Sequence, residues 1–316
     1  MAKDAAPVAV TSRSFSRDSR LRDELLSRYS DVRFNDEGRS LAGPDLIRFL
    51  AGRRAAITGL ERIDDDVLRA VPSLTVVSKI GVGVDMLDLG AFERRGVLLA
   101  RAEGTNSRSV AELMLLLTLG VLRRIPEVSA GVRSGKWEQP RGRELTGKTV
   151  GIVGLGHVGR EVAGLVSAFD CQVLGVDASP REVPRRVRLV DLDVVLSASD
   201  VVSLHVPLTA DTAGLIGRHE LALMKHDAVI INTARGGLID EAALVEALDG
   251  QRLGGVGLDV LADEPPVGSV LVAHPKVLVT SHIGGGTDEA VYAMGRAAID
   301  GLQRALSEQR FDRVDA

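Results

Sequence analysis

Residues 149–163 carry the pattern that most restricts how this chain can fold. A β-branched stretch, Thr149-Val-Gly-Ile-Val, leads into Gly154, Gly156 and Gly159, and a helix-like pattern follows. The first glycine permits a tight turn directly after a strand, because glycine adopts backbone conformations that other residues avoid. The third permits a helix to pack closely on that strand. The spacing therefore predicts a strand–turn–helix unit of an α/β sheet.

The same turn predicts a ligand. Gly156 lets a pyrophosphate approach the backbone, and the start of the helix, with His157 and Val158, offers free N–H groups and a positive dipole. Asp177 ends the next predicted strand, about 20 residues after the first glycine, where a ribose-binding acid is expected. This acid favours NAD over NADP, although Arg181 nearby weakens the preference. A glycine turn without a ligand and an S-adenosylmethionine site are the alternatives.

Short β-rich runs alternate with longer amphipathic segments along the whole chain. This alternation predicts the α/β class, with doubly wound parallel sheets covered by helices on both faces. The longest helix is predicted for Asn106–Arg124, with Asn106 as its cap, and the last helix for Asp288–Leu306. The predicted strands are Val8–Thr11, Ala55–Thr58, Thr75–Ile80, Val97–Ala100, Thr149–Val153, Gln172–Val176, Val201–Val206, Ala228–Asn232, Gly255–Asp259 and Val277–Thr280.

Composition excludes several classes of protein. The chain has 316 residues, enough for two domains, and carries a net charge of −4 with 3% aromatic residues. The negative net charge and the small number of aromatic residues disfavour nucleic acid as a partner. The single cysteine, Cys171, excludes an intramolecular disulfide and a cysteine-based zinc site. No apolar run approaches the roughly 20 residues of a membrane span, and no signal peptide is recognised, so we expect a soluble cytoplasmic protein.

Three polar clusters each follow an apolar strand in the second half of the chain. They contain Arg235, Glu264 and His282. Ligands of open α/β sheets bind beyond the carboxyl ends of the strands. All three clusters are therefore expected to face the same crevice as the glycine turn.

Four further motifs occur along the chain. They are Lys79-Ile-Gly-Val-Gly-Val-Asp85, Gly104-Thr-Asn-Ser-Arg-Ser-Val-Ala-Glu112, Trp137 followed by Gly142-x-Glu144-Leu-x-Gly147-Lys148-Thr, and His205-Val-Pro-Leu-Thr209. In this order they resemble the D-2-hydroxyacid dehydrogenase family, particularly its phosphoglycerate-dehydrogenase-like branch. The resemblance implies two Rossmann-like domains with a cleft between them and a homodimer. The NAD-binding domain would be 103–287, and the discontinuous substrate domain would be 1–102 plus 288–316.

The resemblance also implies the chemistry, which is NAD-dependent interconversion of a D-2-hydroxy acid and its 2-oxo acid. His282 resembles the acid/base that exchanges a proton at C2, and Glu264 resembles its partner, which favours the protonated imidazole. Arg235 resembles the group that binds the substrate carboxylate and polarises the carbonyl. No metal is implied, and a glutamate at 264 disfavours oxidation of formate.

Motif and resemblance together assign the ligand-binding residues. The cofactor-binding set is Gly154, Gly156, His157, Val158, Gly159, Asp177, His205, Val206, Pro207, Thr209, Thr212, Thr233, Ala234, Asp259, Gly284 and Gly285. The substrate-binding set is Lys79, Gly81, Val82, Gly83, Asn106, Arg235 and His282. Near-bare backbone at 81–83 would offer N–H groups to the substrate carboxylate.

The identity of the acid stays open at this stage. Residues 56–62 take the place where phosphoglycerate dehydrogenases often carry Val-Arg-Ser, and the arginine of that motif is absent. Other arginines could bind a phosphate instead, namely Arg13, Arg53, Arg54, Arg62 and Arg124. Acids that bear phosphate or phosphonate and plain acids such as glyoxylate or hydroxypyruvate are both compatible. An NAD(H)-sensing, corepressor-like scaffold is the alternative from another class, and the Arg–Glu–His set disfavours a methyltransferase.

Overall fold

A computed structural model describes residues 3–180 and 182–308. The chain divides into two compact units. The first combines the described residues up to Asn106 with those from Gly286 onward, and the second is Ser107–Gly285. Each unit has its own parallel sheet, and each is described by itself.

The first unit is built on a five-stranded sheet. Its strands are β1 (Val8–Val10), β2 (Val32–Phe34), β3 (Ala55–Thr58), β4 (Val76–Lys79) and β5 (Leu98–Arg101), in the order β2-β1-β3-β4-β5. Its helices are α1 (Arg13–Arg17), α2 (Ser19–Arg28), α3 (Gly43–Leu50), α4 (Asp65–Ala70), α5 (Leu89–Arg95) and α13 (Asp288–Glu308). Every strand pair is parallel.

Successive side chains of these strands enter two separate apolar clusters. Val8 and Val10 pack with α2 and α13, whereas Ala9 packs with α3, α4 and α5. Side chains of a strand point alternately to the two faces of its sheet, so two clusters mean that both faces are covered. This is the doubly wound arrangement.

The second unit contains a seven-stranded parallel sheet. Its strands are β6 (Thr149–Val153), β7 (Gln172–Val176), β8 (Val187–Leu189), β9 (Val201–Leu204), β10 (Ala228–Asn232), β11 (Leu253–Leu258) and β12 (Val277–Val279). Its helices are α6 (Ser107–Leu122), α7 (Ile125–Arg133), α8 (His157–Ser167), α9 (Leu192–Ala198), α10 (Arg218–Leu223), α11 (Glu241–Asp249) and α12 (Val270–Ala273), with a 3-10 turn at Gly236–Leu238.

Strand order in this sheet locates the ligand edge. The order is β12-β11-β10-β9-β6-β7-β8, so the chain winds outward in one direction from β6 and in the other from β9. The gap between β6 and β9 is therefore the topological switch point, where the loops leaving the two strands diverge. The glycine turn leaves β6 at this point.

The predicted class is confirmed, because both sheets are parallel and carry helices on both faces. The strand prediction was incomplete, since β2 and β8 were missed. Both have three residues, lie at a sheet edge and contain an arginine, so the apolar signal of a buried strand is weak. Other predicted ends shift by one or two residues. Within the described ranges, no helix combines the length and apolarity needed to cross a bilayer.

Candidate active site

The turn after β6 brings backbone groups closer than a side chain would permit. Gly154 has a φ of +98°, and a Cβ built there would lie 2.8 Å from the His205 carbonyl. A Cβ on Gly159 would lie 2.0 Å from the carbonyl oxygen of Gly154. Both glycines are therefore required by the fold, the first for the turn and the second for the packing of α8 on β6.

Gly156 differs, because a Cβ there would meet nothing within 4 Å. It stands directly before α8, whose start has no side-chain cap, so N–H groups of the first turn are free of such a partner. The fold does not explain this glycine, whereas an anion approaching the helix start does.

Asp177 is held beside this turn at the end of β7. Its Oδ2 accepts a hydrogen bond from Leu155 N at 2.6 Å, and its Oδ1 accepts one from Ser179 N at 2.8 Å. The fixed carboxylate retains lone pairs for ribose hydroxyls. Free helix N–H groups, an open glycine and a fixed acid together fit a dinucleotide such as NAD. Arg181, which weakened the preference for NAD, lies outside the described residues.

His205 is a neutral residue at the end of β9. Its Nε2 lies 2.8 Å from Ser203 Oγ, and its backbone N–H donates to Val153 O at 2.7 Å. Burial disfavours the charged ring and lowers the pKa of His205 to about 3. His205 therefore carries no charge near neutral pH.

The loop after His205 is organised by Thr212. Its hydroxyl accepts from Thr209 N at 2.8 Å and donates to Pro207 O at 2.6 Å. Val206 lies against the glycine turn, since a Cβ on Gly154 would be 2.9 Å from its Cγ1. The predicted cofactor loop thus lies beside the turn at the switch point.

His282 and Glu264 come from neighbouring strand ends and form a pair. His282 follows β12, Glu264 follows β11, and Nδ1 of the ring lies 2.8 Å from Oε2 of the carboxylate. Glu264 Oε1 also accepts from Leu261 N at 3.1 Å, so its own loop holds the carboxylate. The side chains are 42% and 38% exposed. With Nδ1 engaged, Nε2 is the ring nitrogen left to exchange a proton with a ligand.

Asp259 fixes the backbone around this histidine. It is 1% exposed, and its Oδ1 accepts from Thr280 Oγ1 at 2.6 Å and from Ile283 N at 2.8 Å. Its Oδ2 accepts from Gly284 N at 2.7 Å, and its backbone oxygen accepts from His282 N at 2.9 Å. His282 has a φ of +57°, which is uncommon for a residue with a side chain. The contacts give Asp259 a positioning role, and its predicted binding of the cofactor stays a prediction.

Arg235 is carried by a turn that Asn232 shapes. Asn232 is 1% exposed, its Oδ1 accepts from Ala234 N at 3.0 Å, and its Nδ2 donates to Arg235 O at 2.8 Å. A Cβ on Gly236 would lie 1.9 Å from the carbonyl carbon of Leu261, so the turn packs directly on the loop after β11. Arg235 therefore lies at the same edge of the sheet as the His–Glu pair.

Two other predicted residues of this unit show ligand-compatible contacts. Thr233 is 8% exposed, and its buried hydroxyl has no hydrogen-bond partner among the described residues. A bound cofactor would supply one. The backbone oxygen of Gly284 accepts a hydrogen bond from Ser109 Oγ at 2.6 Å, which joins the loop of His282 to α6.

Asn232 was not singled out from the sequence. A polar residue at the end of a fully buried strand is a signal that could have identified it.

The predicted substrate residues Lys79, Gly81, Val82, Gly83 and Asn106 belong to the first unit. Lys79 is 4% exposed, and its ammonium donates to the carbonyls of Gly59 and Ile80. Gly81 has a φ of +99° and opens the turn after β4. The contacts show how this turn is held, and binding of substrate there stays a prediction.

Comparison with known proteins decides the family. Residues 115–284, more than half of the chain, match the family described as D-isomer specific 2-hydroxyacid dehydrogenase, NAD binding domain. The chain belongs to the D-isomer-specific 2-hydroxyacid dehydrogenases. The predicted family and the predicted cofactor, NAD, are thereby confirmed.

Individual relatives agree with this family. The D-3-phosphoglycerate dehydrogenase of Mycobacterium tuberculosis is 40% identical over 280 residues, covering 86% of this chain and 53% of the relative. The hydroxypyruvate reductase of Thermotoga maritima is 36% identical over 250 residues, covering 78% and 82%. The crystal structure of the TT0316 protein from Thermus thermophilus has a TM-score of 0.85 at 36% identity, covering 96% and 98%. The chain spans about half the length of the D-3-phosphoglycerate dehydrogenases that it matches.

Proposed function

We propose that this 2-hydroxyacid dehydrogenase is an NAD-dependent oxidoreductase that interconverts a small D-2-hydroxy acid and its 2-oxo acid. The observation that carries the proposal is the 2.8 Å contact between His282 and Glu264, at the strand edge that also bears Arg235. An acid/base held by a carboxylate, beside a guanidinium, suits proton transfer at a carbonyl next to a carboxylate.

Each side chain has a separate task in reduction. The reduced cofactor, NADH, would supply the hydride that adds to C2 and would leave as NAD. Protonated His282 gives its Nε2 proton to the C2 oxygen, while Glu264 holds Nδ1 and orients the ring for the transfer. The guanidinium of Arg235 binds the substrate carboxylate and stabilises negative charge that develops on the C2 oxygen. Oxidation of the hydroxy acid reverses each role.

Two substrate candidates follow from the relatives. Hydroxypyruvate is favoured by the Thermotoga maritima relative, which this chain covers over 82% of its length and which is named for that acid. Glyoxylate belongs to the same group of plain acids. A phosphorylated acid is favoured by the 40% identity to D-3-phosphoglycerate dehydrogenases, of which the chain spans about half. Both candidates use the same chemistry at C2.

A panel of 2-oxo acids tests the reaction. Purified protein with NADH is mixed with glyoxylate, pyruvate, hydroxypyruvate and 3-phosphohydroxypyruvate, and loss of NADH absorbance is followed. We expect turnover of at least one acid and a product of the D configuration. Tight NADH binding without turnover of any acid would contradict the proposal and favour the scaffold class.

We also propose a cytoplasmic homodimer. A single cysteine fits a reducing compartment. Apolar surface around α7 fits a second copy, because no residue of this helix is buried and Ile125, Val132 and Trp137 are 51%, 47% and 81% exposed. Light scattering after gel filtration is expected to give twice the mass of the chain. A monomer at micromolar concentration would contradict the dimer, and cell fractionation tests the location.

A further inference from the structure

Two exposed arginines of α1, Arg13 and Arg17, have no ion pair among the described residues, and Arg17 extends to Gly38 after the edge strand β2. We propose that the other one, Arg13, recognises a second acidic group, phosphate or carboxylate, on the substrate of the reaction proposed above. The inference rests on that proposed function and adds a residue that selects among 2-oxo acids.

Strand order places Arg13 within reach of the turn at Gly81–Gly83, where we predict that the substrate carboxylate binds. Arg13 opens α1 shortly after β1, β1 neighbours β3, and β3 neighbours β4, which leads into Gly81–Gly83. Two strand spacings separate the ends of β1 and β4 by roughly 10 Å. A long arginine side chain can span part of that distance, so one small acid can contact both ends.

The loops at these strand ends also touch one another. A Cβ on Gly59, after β3, would lie 3.3 Å from both Cβ and Oγ of Ser12, the residue before Arg13. On its other side, Gly59 accepts a hydrogen bond from the Lys79 ammonium. The three strand ends therefore form one continuous surface rather than separate loops.

Charged side chains at the ends of β3, β4 and β5 have partners. Arg62 lies 3.6 Å from Asp64, and Arg101 lies 2.9 Å from Glu103. The buried Lys79 ammonium and the 9% exposed Glu61 flank the same residue, since Glu61 Oε2 accepts from Gly59 N at 2.6 Å. Both side chains are thus engaged by backbone groups of Gly59.

Arg13 differs from all of these groups. Its side chain is exposed, and it makes no ion pair or side-chain hydrogen bond with any residue in the ranges 3–180 and 182–308. An exposed guanidinium without an ion pair can bind an anion without breaking an existing contact. Its planar arrangement of N–H groups suits a phosphate or carboxylate.

The remaining arginines considered for a phosphate lie elsewhere. Arg53 and Arg54 precede β3, so they lie at the amino edge of the sheet, and Arg53 pairs with Asp31 at 2.6 Å. Arg124 belongs to the second unit and pairs with Glu127 at 2.7 Å. None of these three arginines supports the site inferred at the carboxyl edge, and their binding of a phosphate stays a prediction.

The end of β3 supplies no cation either. Thr58 is fully buried, Gly59 has no side chain, and Leu60 is apolar and 67% exposed. A substrate with a second negative charge therefore depends on Arg13, whereas an apolar substituent would depend on Leu60. This contrast makes the inference testable.

The test compares R13M with R62M, an exposed arginine at the same edge. Both are assayed against hydroxypyruvate and 3-phosphohydroxypyruvate, which differ only in the phosphoryl group. Two further acids are assayed in the same way: 2-oxoglutarate carries a second carboxylate, and 4-methyl-2-oxopentanoate carries an apolar group.

We expect wild type to prefer an acid with a second negative charge. We expect R13M to lose roughly 10- to 100-fold in kcat/KM for that acid, mainly through KM. Hydroxypyruvate turnover by R13M and all activities of R62M should stay within about twofold of wild type.

Three results would overturn the inference while leaving the reaction intact. They are a wild-type preference for a neutral or apolar acid, an unchanged preference in R13M, and an equal loss by R13M on every acid. Failure of the reaction itself has a different signature, because wild type would then reduce no acid at all. Melting temperatures of the variants are measured alongside, and the exposure of Arg13 leads us to expect no change.

Discussion

At the scale of single residues, Asp259 makes the sharpest prediction. Its two carboxylate oxygens accept three hydrogen bonds in a buried setting. D259N replaces one oxygen by an NH2 group that cannot accept, which leaves a buried N–H or hydroxyl group without a partner. We expect a loss of about 1–3 kcal/mol in the free energy of unfolding. We expect kcat to fall on the order of 10- to 100-fold, because His282 is no longer held in place.

The dissociation constant for NADH distinguishes the two roles considered for Asp259. A positioning role predicts that D259N binds NADH as wild type does. A weaker affinity with unchanged kcat and stability would instead support direct contact with the cofactor. D263N, an exposed acid in the following loop, is the control and should behave as wild type.

His205 gives a prediction about pH. Its pKa is lowered to about 3 in the folded chain, against 6.5 for an unperturbed histidine. Between these values only the unfolded chain binds the proton, so the free energy of unfolding falls as the pH drops below 6.5. This group contributes about 1.4 kcal/mol per pH unit in that window. Urea unfolding of wild type and H205N at pH 7.5 and pH 5.0 should show that the variant loses about 2 kcal/mol less between the two. Equal losses would contradict a neutral buried His205.

At the scale of elements, the turn and helix after β6 offer three glycines with different demands. G159A pushes a Cβ into the Gly154 carbonyl, so we expect it to lose both stability and NADH affinity. G156A meets no protein atom, so its melting temperature should be kept while NADH binds more weakly, because the added methyl lies where a pyrophosphate approaches.

G164A, on the same helix and in open space, is the matched control. It should bind NADH normally and gain roughly 0.5–1 kcal/mol, as expected for alanine in place of a helical glycine. Calorimetry and NADH titration on the three variants give the comparison. An unchanged affinity in G156A would contradict a phosphate position at the start of α8.

Elements were predictable where local signals were strong. β3, β6, β7 and β10 were predicted with their observed bounds, because each is an apolar run that leads into a turn. β2 and β8 lie at sheet edges, where solvent reaches the strand and polar residues are tolerated, so no apolar run marks them. A sequence pattern reflects how buried a strand is more directly than how it is hydrogen-bonded. Edge strands are less buried than central ones, so their sequence pattern is weak.

At the scale of the whole molecule, strand direction explains how much of the site could be predicted. Parallel strands bring their carboxyl ends to one edge, so the shared edge of Arg235, Glu264 and His282 could be predicted from their places after strands. The part played by Asp259 depends on register. Leu258 pairs with Val279, which sets Asp259 beside Thr280. Register depends on packing across the sheet, and no local motif encodes it.

The boundaries between the two compact units are likewise not encoded by a local motif. Similarity of motif order to a family implied boundaries near residues 102 and 287, whereas the compact units meet at Asn106 and Gly286. Boundaries depend on which contacts a connecting segment makes, and those contacts are long-range. The predicted boundaries stay a prediction about independent domains, and limited proteolysis would address them.

The most direct test of the account is proton transfer by His282. Reduction of the best 2-oxo acid by NADH is measured for wild type, H282N and E264Q, with NADH affinity measured on the same samples. We expect H282N to bind NADH normally and to lose turnover on the order of 10²- to 10⁴-fold. We expect E264Q to bind NADH normally and to lose turnover on the order of 10- to 100-fold, because the carboxylate that orients the ring is gone. Full turnover by H282N, or unchanged turnover by E264Q, would contradict the account.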